Sequence, residues 1–254
     1  MLFRLARIVL FYVALVAIWQ AVVVLEIWPK YLVPPPADVW DSLKDHVDNH
    51  QIPDAVQLTM RRLLIGYSIS LVIGMVLGMA VGTWKWVEET VGSLIVGLQS
   101  LPSITWAPLA VLWFGLNDKA IIFVVLMGSI SAIAISTSSG VRNIPPIYRK
   151  AALTMGANRF QMTRYVLLPA MLPALAPGLK LGWSFAWRSL LAAELVIASG
   201  LSVGRLLETG RDLTDMNLVV AVMTVIVAIG LLADFLVFGR LERWTQERWG
   251  YATA

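Results

Sequence analysis

The sequence predicts an all-α membrane protein that crosses the bilayer six times. Of its 254 residues, 58% are hydrophobic and only 14% are charged, whereas a soluble domain is about 45–50% apolar and about 25% charged. The apolar residues form long continuous runs, not the alternating segments of roughly ten residues that a membrane β-barrel needs. At about 20 residues per span, with short connections, the chain has room for about six helices.

Six apolar runs are long enough to be these spans. The predicted spans are residues 8–27, 63–81, 91–114, 121–137, 179–197 and 218–238. Arg4 and Arg7 precede the first run, and no small-residue cleavage site follows it, so we predict a span and not a removable signal. Lys and Arg are more frequent on the side that would hold both termini, which predicts that this side is cytoplasmic.

A polar segment separates the first two spans. An amphipathic helix is predicted for residues 37–47, where apolar side chains recur at helical spacing. His46 and His50 are spaced i, i+4, which can hold a metal ion, but on an exposed polar helix such spacing is more often coincidence. The chain has no cysteine, so a thiolate site is excluded, and we predict no metal site.

The second and third spans carry features that predict close packing and a break. Gly74, Gly78 and Gly82 follow one another at four-residue spacing, which lets helix backbones approach closely and indicates tight packing. Pro102 and Pro108 are predicted to kink or break the third span. A broken helix within a membrane frees backbone groups that must line a cavity or find protein partners.

Residues 141–169 form the most charged and least apolar stretch in the second half of the chain. The stretch holds several arginines and no acidic residue, which is typical of a cytoplasmic connection between two spans. Pro145 and Pro146 are expected to end the upstream helix. A short helix is predicted for residues 147–155, with Gly156 in the positive-φ conformation at its end.

A second helix is predicted directly after this break. Asn158 can cap it, and Gln161 stands at the third helical position, which is the arrangement of a capping box. The stretch therefore predicts helix, tight break and helix on one side of the membrane.

The order of residues in this stretch also matches a family motif. The spacing E-A-A-x3-G-x9-I-x-L-P is met by Ala151, Ala152, Gly156, Leu168 and Pro169, with Lys150 at the glutamate and Val166 at the isoleucine. The chain therefore resembles the permease subunits of bacterial type I ABC importers, and the nitrate, sulfonate, taurine and bicarbonate branch is most similar. The VPPP run after the first span and the A-A-E-L-V run around Glu194 also resemble this family.

The resemblance implies a fold, a function and a set of partners. The expected fold is that of a type I ABC importer permease, with residues 1–254 as one transmembrane domain. The expected function is a translocation path for a small, anionic solute in the bacterial inner membrane, with both termini cytoplasmic. The expected partners are ABC ATPase subunits, a second copy of this chain, a solute-binding protein and lipid, without nucleic acid. ATP and Mg would be held by the ATPase subunits, so neither a cofactor nor catalysis is expected of this chain.

In this family the motif lies on a coupling helix that docks on the ATPase. The residues expected to carry that contact are Arg149, Lys150, Ala151, Ala152, Leu153, Met155, Gly156 and Ala157. The small alanine side chains permit close approach, and the glycine permits the turn. Lys150 reverses the charge that the motif has at this position.

The fifth span is the most unusual because it contains charges. Lys180, Ser184 and Arg188 follow i, i+4, i+8 and form one polar stripe. The residues predicted to line the solute pathway are Gln99, Ser103, Trp183, Ser184, Trp187, Arg188 and Glu194. A charge within a span is costly and faces either a cavity or an opposite charge.

Alternatives to a pathway role remain open. Arg188 would otherwise pair with an acid on another span, such as Asp234, or with the second subunit. Lys180 is expected to snorkel to the inner interface. Gln99 and Ser103 would otherwise make ordinary hydrogen bonds between helices, and for Glu194 the sequence does not distinguish packing, gating and dimer contact.

The rival function is a self-contained secondary transporter or channel. Such a protein needs an ion-coupling site in its spans and commonly shows internal repeats, and we find no repeat in the sequence. A membrane enzyme is disfavoured because no catalytic motif is present, and the sequence contains no G-x4-G-K-[ST] phosphate loop.

Overall fold

Helices account for all the regular structure that the computed structural model describes. The description covers the backbone of residues 2–197 and 199–248, and the side chains of these residues except 2–5, 159 and 246. In chain order the helices are α1 (Leu2–Val24), α2 (Pro36–Asp48), α3 (Gln51–Thr83), α4 (Lys85–Val87), α5 (Ser93–Gln99), α6 (Ala107–Phe114), α7 (Asp118–Arg142), α8 (Pro146–Thr154), α9 (Arg159–Gln161), α10 (Leu168–Val196), α11 (Val203–Asp212), α12 (Met216–Ala233) and α13 (Gly239–Arg248). A 3₁₀ turn covers Ser103–Trp106, and π-helical segments cover Glu88–Gly92, Met162–Leu167 and Asp234–Phe238.

The predicted number of spans agrees with the helix lengths. Within the described residues, five continuous helical runs are long and apolar enough to cross a membrane. They are Ala6–Val24, Gln51–Thr83, Asp118–Arg142, Met162–Val196 and Met216–Thr245. The segments Lys85–Gln99 and Ser103–Phe114 meet at a bend of 100° and together make a sixth span if they cross as one. The six-helix, all-α prediction is confirmed.

The third span breaks at one of the two predicted prolines. Pro102 lies between the two limbs with φ −57° and ψ 130°, which is not helical backbone. Pro108 does not kink a helix, because it occupies the first turn of α6. Backbone amides in the first turn have no partner within the helix, so the missing N–H of proline costs no hydrogen bond there. The prediction of a break is therefore correct for Pro102 and wrong for Pro108.

Several span limits differ from the predicted ones, and the fifth differs most. The predicted span 179–197 begins much earlier, because a continuous helical run starts at Met162 and contains Pro173 and Pro177. The predicted connection 141–169 is therefore shorter than expected. Prolines are tolerated in membrane helices because neighbouring helices bond the freed carbonyl groups. A hydrogen bond also joins α3 to this helix, since the Tyr67 hydroxyl donates to the Leu179 carbonyl at 2.9 Å.

The chain divides into two compact units. One comprises Met1–Leu58 and Gly200–Ala228, and the other comprises Thr59–Ser199 and Ile229–Ala254. In the first unit, Trp19 Nε1 donates to the Pro34 carbonyl at 3.0 Å. The predicted amphipathic helix at 37–47 is confirmed there as α2. A single domain over the whole chain stays a prediction.

The second unit is built around the packing of α10 against α7. Val141 and Ile144 form a buried apolar cluster with Leu167, Met171 and Leu175 at one end of this pair. Glycines allow the backbones to approach along the rest of it. A Cβ built on Gly178 would overlap the Ser136 side chain, and one built on Gly182 would lie 2.5 Å from an Ile133 side-chain carbon.

The glycines of α3 face α7 in the same way. A Cβ on Gly74 would lie 2.8 Å from the Ile133 side chain, and one on Gly78 would overlap the Ala134 carbonyl oxygen. The prediction that the spaced glycines serve tight helix packing is confirmed.

This packing predicts a cost for adding a single methyl group. We expect Gly178→Ala to lower the free energy of unfolding by about 1–3 kcal/mol, because the Ser136 Cβ cannot rotate away from the added carbon. Gly230→Ala is the matched control, since a Cβ there meets nothing within 4 Å. The control should be neutral or gain up to about 1 kcal/mol of helix propensity. Unfolding titrations in SDS, followed by circular dichroism, compare the two, and equal midpoints would contradict the prediction.

Candidate functional site

The short helix α8 forms as the residues around it predict. Pro146 is its first residue, preceded by Pro145 with φ −53° and ψ 132°, and proline at a helix start loses no bond. At its other end Gly156 has φ +78°, and the Ala157 amide donates to the Ala152 carbonyl at 3.0 Å. The predicted helix and the predicted glycine break are both confirmed.

The capping box after this break is also confirmed. The Gln161 amide donates to Asn158 Oδ1 at 2.8 Å, and the Asn158 amide donates to Gln161 Oε1 at 2.9 Å. These reciprocal bonds satisfy two amides that the start of α9 would otherwise leave free. The backbone between α8 and α10 is therefore fixed by local bonds at both of its turns.

Four large apolar side chains, three on α8 and one on the residue directly after it, are exposed in the described chain. This α8 surface consists of Ile147, Tyr148, Leu153 and Met155. Leu153 is 63% exposed and Met155 is 86% exposed. Large apolar side chains exposed together on one short helix are typical of a site of interaction with protein or membrane.

The other predicted coupling residues surround this surface in different ways. Lys150, Ala151 and Gly156 are exposed, Ala157 is half-buried, and Ala152 is buried. Arg149 is half-buried, and its Nη2 donates to the Val141 carbonyl near the end of α7 at 2.8 Å. Arg149 therefore anchors α8 to α7.

A groove of about 990 Å³ runs between α8 and the neighbouring helices. Tyr148 and Met155 line it from the α8 side, Tyr165 and Pro169 from the start of the long helical run, and Glu242 from α13. The groove extends the exposed apolar area beyond α8 itself.

The polar stripe of the fifth span lines a second, smaller pocket. This Arg188 pocket has a volume of about 290 Å³ and is lined by Lys180, Trp183, Ser184, Trp187, Arg188, Gly230, Asp234 and Phe238. The structure thus brings together four of the predicted pathway residues, namely Trp183, Ser184, Trp187 and Arg188.

The charge partners in this pocket differ from those expected. Lys180 Nζ lies 2.5 Å from Asp234 Oδ1, so Asp234 is the partner of Lys180 and not of Arg188. Lys180 thus has an acidic partner on a neighbouring helical segment, and its approach to the membrane interface stays a prediction. Arg188 Nε donates to the Ser184 carbonyl at 3.2 Å, and its guanidinium lies 5.2 Å from the Phe185 ring centroid.

The remaining predicted pathway residues lie elsewhere. Ser103 Oγ accepts a hydrogen bond from Ser189 Oγ at 2.7 Å, which supports the alternative of a bond between helices. Gln99 is the exposed last residue of α5. Glu194 is only 1% exposed and belongs to a buried ionic network.

That network joins three helices of the second unit. Arg62 on α3 donates from Nη1 to Glu194 Oε1 at 3.0 Å and from Nη2 to Asp118 Oδ1 at 2.6 Å. Thr59 Oγ1 lies 3.0 Å from both Glu194 carboxylate oxygens. Ser199 Oγ donates to Asp118 Oδ1 at 3.0 Å, and its carbonyl accepts from Arg62.

Sequence reasoning misses Arg62 and Asp118 as members of this network. From the sequence, Arg62 belongs to the outer side before the second span, and partners of Glu194 are sought along its own helix. One feature of the sequence does point to this network: Arg62, Asp118 and Glu194 all lie at span ends on the same predicted side of the membrane.

The two histidines do not share a helix. His46 lies in α2 with Nδ1 2.8 Å from the Ser42 carbonyl oxygen, whereas His50 follows the helix with φ +60°. Among the residues with described side chains, no group of three His, Cys, Asp or Glu is placed to hold a metal ion.

Comparisons with known proteins agree with this architecture. Residues 70–246 match the family described as "Binding-protein-dependent transport system inner membrane component". A putative ABC transporter permease of Methanocaldococcus jannaschii is 33% identical over 71% of this chain and 68% of its own length. The taurine transport system permease of Escherichia coli is 26% identical over 87% of this chain and 82% of its own length.

Solved structures show the same fold. A chain of the inward-facing MetNI methionine ABC transporter aligns with a TM-score of 0.60 at 21% identity, over 75% of this chain and 96% of that one. A chain of an amino acid ABC transporter crystallised with histidines aligns with a TM-score of 0.61 at 17% identity, over 81% of this chain and 97% of that one. The chain therefore belongs to the family of binding-protein-dependent transport system inner membrane components, as an ABC importer permease of the branch that contains taurine, bicarbonate, sulfonate and nitrate permeases.

Proposed function

We propose that this permease carries a small anionic solute across the bacterial inner membrane and is driven by a separate ATPase that docks on the α8 surface. The observation that carries the proposal is the α8 surface itself. Its four large apolar side chains stand exposed on a short helix that is held by a glycine turn and a capping box. A rigid apolar patch loses little conformational entropy when a partner covers it.

Contacts within the second unit supply a path for force from α8. Arg149 ties α8 to the Val141 carbonyl of α7. Val141 and Ile144 pack with Leu167, Met171 and Leu175 at the start of α10. A displacement of α8 by the ATPase would therefore move the ends of α7 and α10 together, since packed interiors transmit strain.

The anionic solute is proposed from the relatives and from the charge of the fifth span. Relatives in this branch are named as permeases for taurine and for bicarbonate. In this chain the Arg188 pocket contains two cations and one carboxylate, so its net charge is positive. A positive pocket lowers the energy of an anion within a span.

The remaining partners are proposed from the family, and the orientation is proposed from the distribution of charge. The proposed assembly holds two copies of this chain, two ATPase subunits on the side of α8 and a solute-binding protein on the opposite side. The basic residues around α8 favour a cytoplasmic location for it, with both termini on the same side. ATP and Mg would bind the ATPase subunits, and this chain would catalyse no bond change.

Reconstitution tests the proposal against the rival function. We expect uptake of taurine, bicarbonate or nitrate into proteoliposomes only when the cognate ATPase, the binding protein and ATP are all present. ATP-independent uptake by this chain alone, driven by an ion gradient, would overturn the proposal and favour a self-contained secondary transporter or channel.

A further inference from the structure

We infer that the Arg188 pocket is a binding site for one small monovalent oxyanion, with the Arg188 guanidinium as its binding group. The inference rests on the proposed function and names the place in this chain where the solute class is recognised. It starts from the pairing of charges inside the second unit.

Among the described side chains, Arg188 lacks an acidic partner, in contrast to Arg62 and Lys180, two other cations of the spans. Arg62 pairs with Asp118 and Glu194, and Lys180 pairs with Asp234. Across residues 6–197 and 199–248, with the side chains of 159 and 246 excepted, no carboxylate forms a salt bridge with Arg188. A guanidinium within a span needs a counter-charge or water. An anion from solution can supply this counter-charge at Arg188.

The hydrogen bonding of Arg188 leaves the two terminal nitrogens of its guanidinium available for an anion. Its hydrogen bond runs from Nε to the Ser184 carbonyl on the same helix at 3.2 Å. The Nη1 and Nη2 groups then carry the remaining four N–H donors of the guanidinium. Two parallel N–H donors match two oxygens of a planar or tetrahedral oxyanion, which is the geometry that favours arginine over lysine.

The charge balance of the pocket sets the valence of the anion. Lys180 and Asp234 neutralise each other at 2.5 Å, and Arg188 adds one positive charge. One monovalent anion brings the pocket to neutrality, whereas a divalent anion would leave an excess negative charge in a span.

The size and walls of the pocket limit the anion further. The volume of about 290 Å³ is equivalent to roughly ten water molecules at ~30 Å³ each. Trp183 and Trp187 line the pocket with Phe238, and the rings of Trp183 and Phe238 lie 5.8 Å apart. These aromatic side chains form apolar walls beside Arg188, whose own side chain is exposed and therefore accessible to a small anion.

Chloride-35 NMR line broadening tests the site without knowledge of the natural solute. The assembled permease–ATPase complex in phosphatidylcholine nanodiscs is expected to broaden the chloride line, and sodium nitrate is titrated as competitor. We expect Arg188→Gln to raise the apparent nitrate Kd by about tenfold or more. A change of this size corresponds to the free energy of one charge-assisted hydrogen bond. Arg211→Gln removes an exposed arginine that pairs with Asp212 and is expected to leave the nitrate Kd unchanged.

A charge-altered variant tests the valence. Sodium sulfate is expected to compete far less well than nitrate in the unmodified protein. Asp234→Asn raises the net charge of the pocket by one, so sulfate should then compete about as well as nitrate. Equal competition by both anions before the substitution would overturn the monovalent site.

Two further measurements distinguish a solute site from a lipid site and from a failure of transport. A nitrate Kd that is unchanged in Arg188→Gln overturns the inference, as does loss of nitrate competition in nanodiscs of phosphatidylglycerol, which would identify a lipid headgroup as the occupant.

Co-purification of the ATPase is measured on the same samples. A complex that binds nitrate at Arg188 but shows no ATP-driven uptake would contradict the proposed function and leave the anion site intact.

Discussion

Replacing Arg62 with alanine is expected to destabilise the protein by about 3–5 kcal/mol. The Arg62 side chain is 2% exposed and holds two carboxylates, and Glu194 is as deeply buried. Removing the arginine leaves the Glu194 charge without its cation inside the protein, and breaking a buried pair in this way costs about that much. Asp118 is 44% exposed, so water replaces part of its lost contact and it adds little to the total. Unfolding titrations of the purified permease in SDS measure the difference.

The control for this experiment is an ion pair of the same type on the surface. Arg205 Nη1 lies 2.5 Å from Glu208 Oε2 on α11, with the Arg205 side chain 43% exposed. We expect Arg205→Ala to cost about 0–1 kcal/mol. A double variant, Arg62→Met with Glu194→Leu, should recover much of the loss, because both charges are then absent. If Arg62→Ala unfolds at the same SDS fraction as Arg205→Ala, the network does not stabilise the fold.

The combined substitution of Leu153→Asp and Met155→Asp is expected to abolish binding of the ATPase. Each removes an apolar side chain from the proposed contact and places a charge where the partner would bury it. The loss in affinity should be about 100-fold or more, since central apolar anchors contribute about 2 kcal/mol or more each. Pull-down of the purified ATPase at graded concentrations measures the affinity.

The folding of this variant is expected to be normal because both side chains are exposed, at 63% and 86%. Leu213→Asp is the matched control, a leucine 70% exposed at the end of α11, and it should bind the ATPase as the unmodified protein does. Retention of full ATPase affinity by the Leu153 and Met155 variant would show that the partner docks elsewhere.

Features encoded by neighbouring residues were predictable from the sequence. The Gly156 turn, the Asn158–Gln161 capping box and the break at Pro102 each depend on backbone chemistry within a few residues. Local rules for proline, glycine and caps are sufficient for such features. The glycine spacing of α3 was equally informative, because close approach of two backbones requires small residues whatever the partner helix is.

Features that depend on distant residues were not predictable. Arg62 and Glu194 are 132 positions apart, and no periodicity within one helix can pair them. The sequence alone is compatible with an ion pair between Asp234 and either Lys180 or Arg188. Only the packing of α10 against the Asp234–Phe238 segment places Lys180 beside Asp234. The early start of the fifth span is not predictable from its prolines, which favour an irregular connection, whereas the helical run from Met162 continues through both Pro173 and Pro177.

The π-helical segment Met162–Leu167 connects α9 directly to α10. A π-helical turn holds one residue more than an α-helical turn would, and each residue of an α-helix advances the chain by about 100° around its axis. The wider π-helical turn takes up the additional residue, so the helix on either side of it keeps nearly the direction that it would have without that residue. Deleting one residue within Met162–Leu167 is therefore expected to leave the direction of α8 nearly unchanged, whereas a deletion in the regular part of α10 would rotate the upstream chain by about 100°.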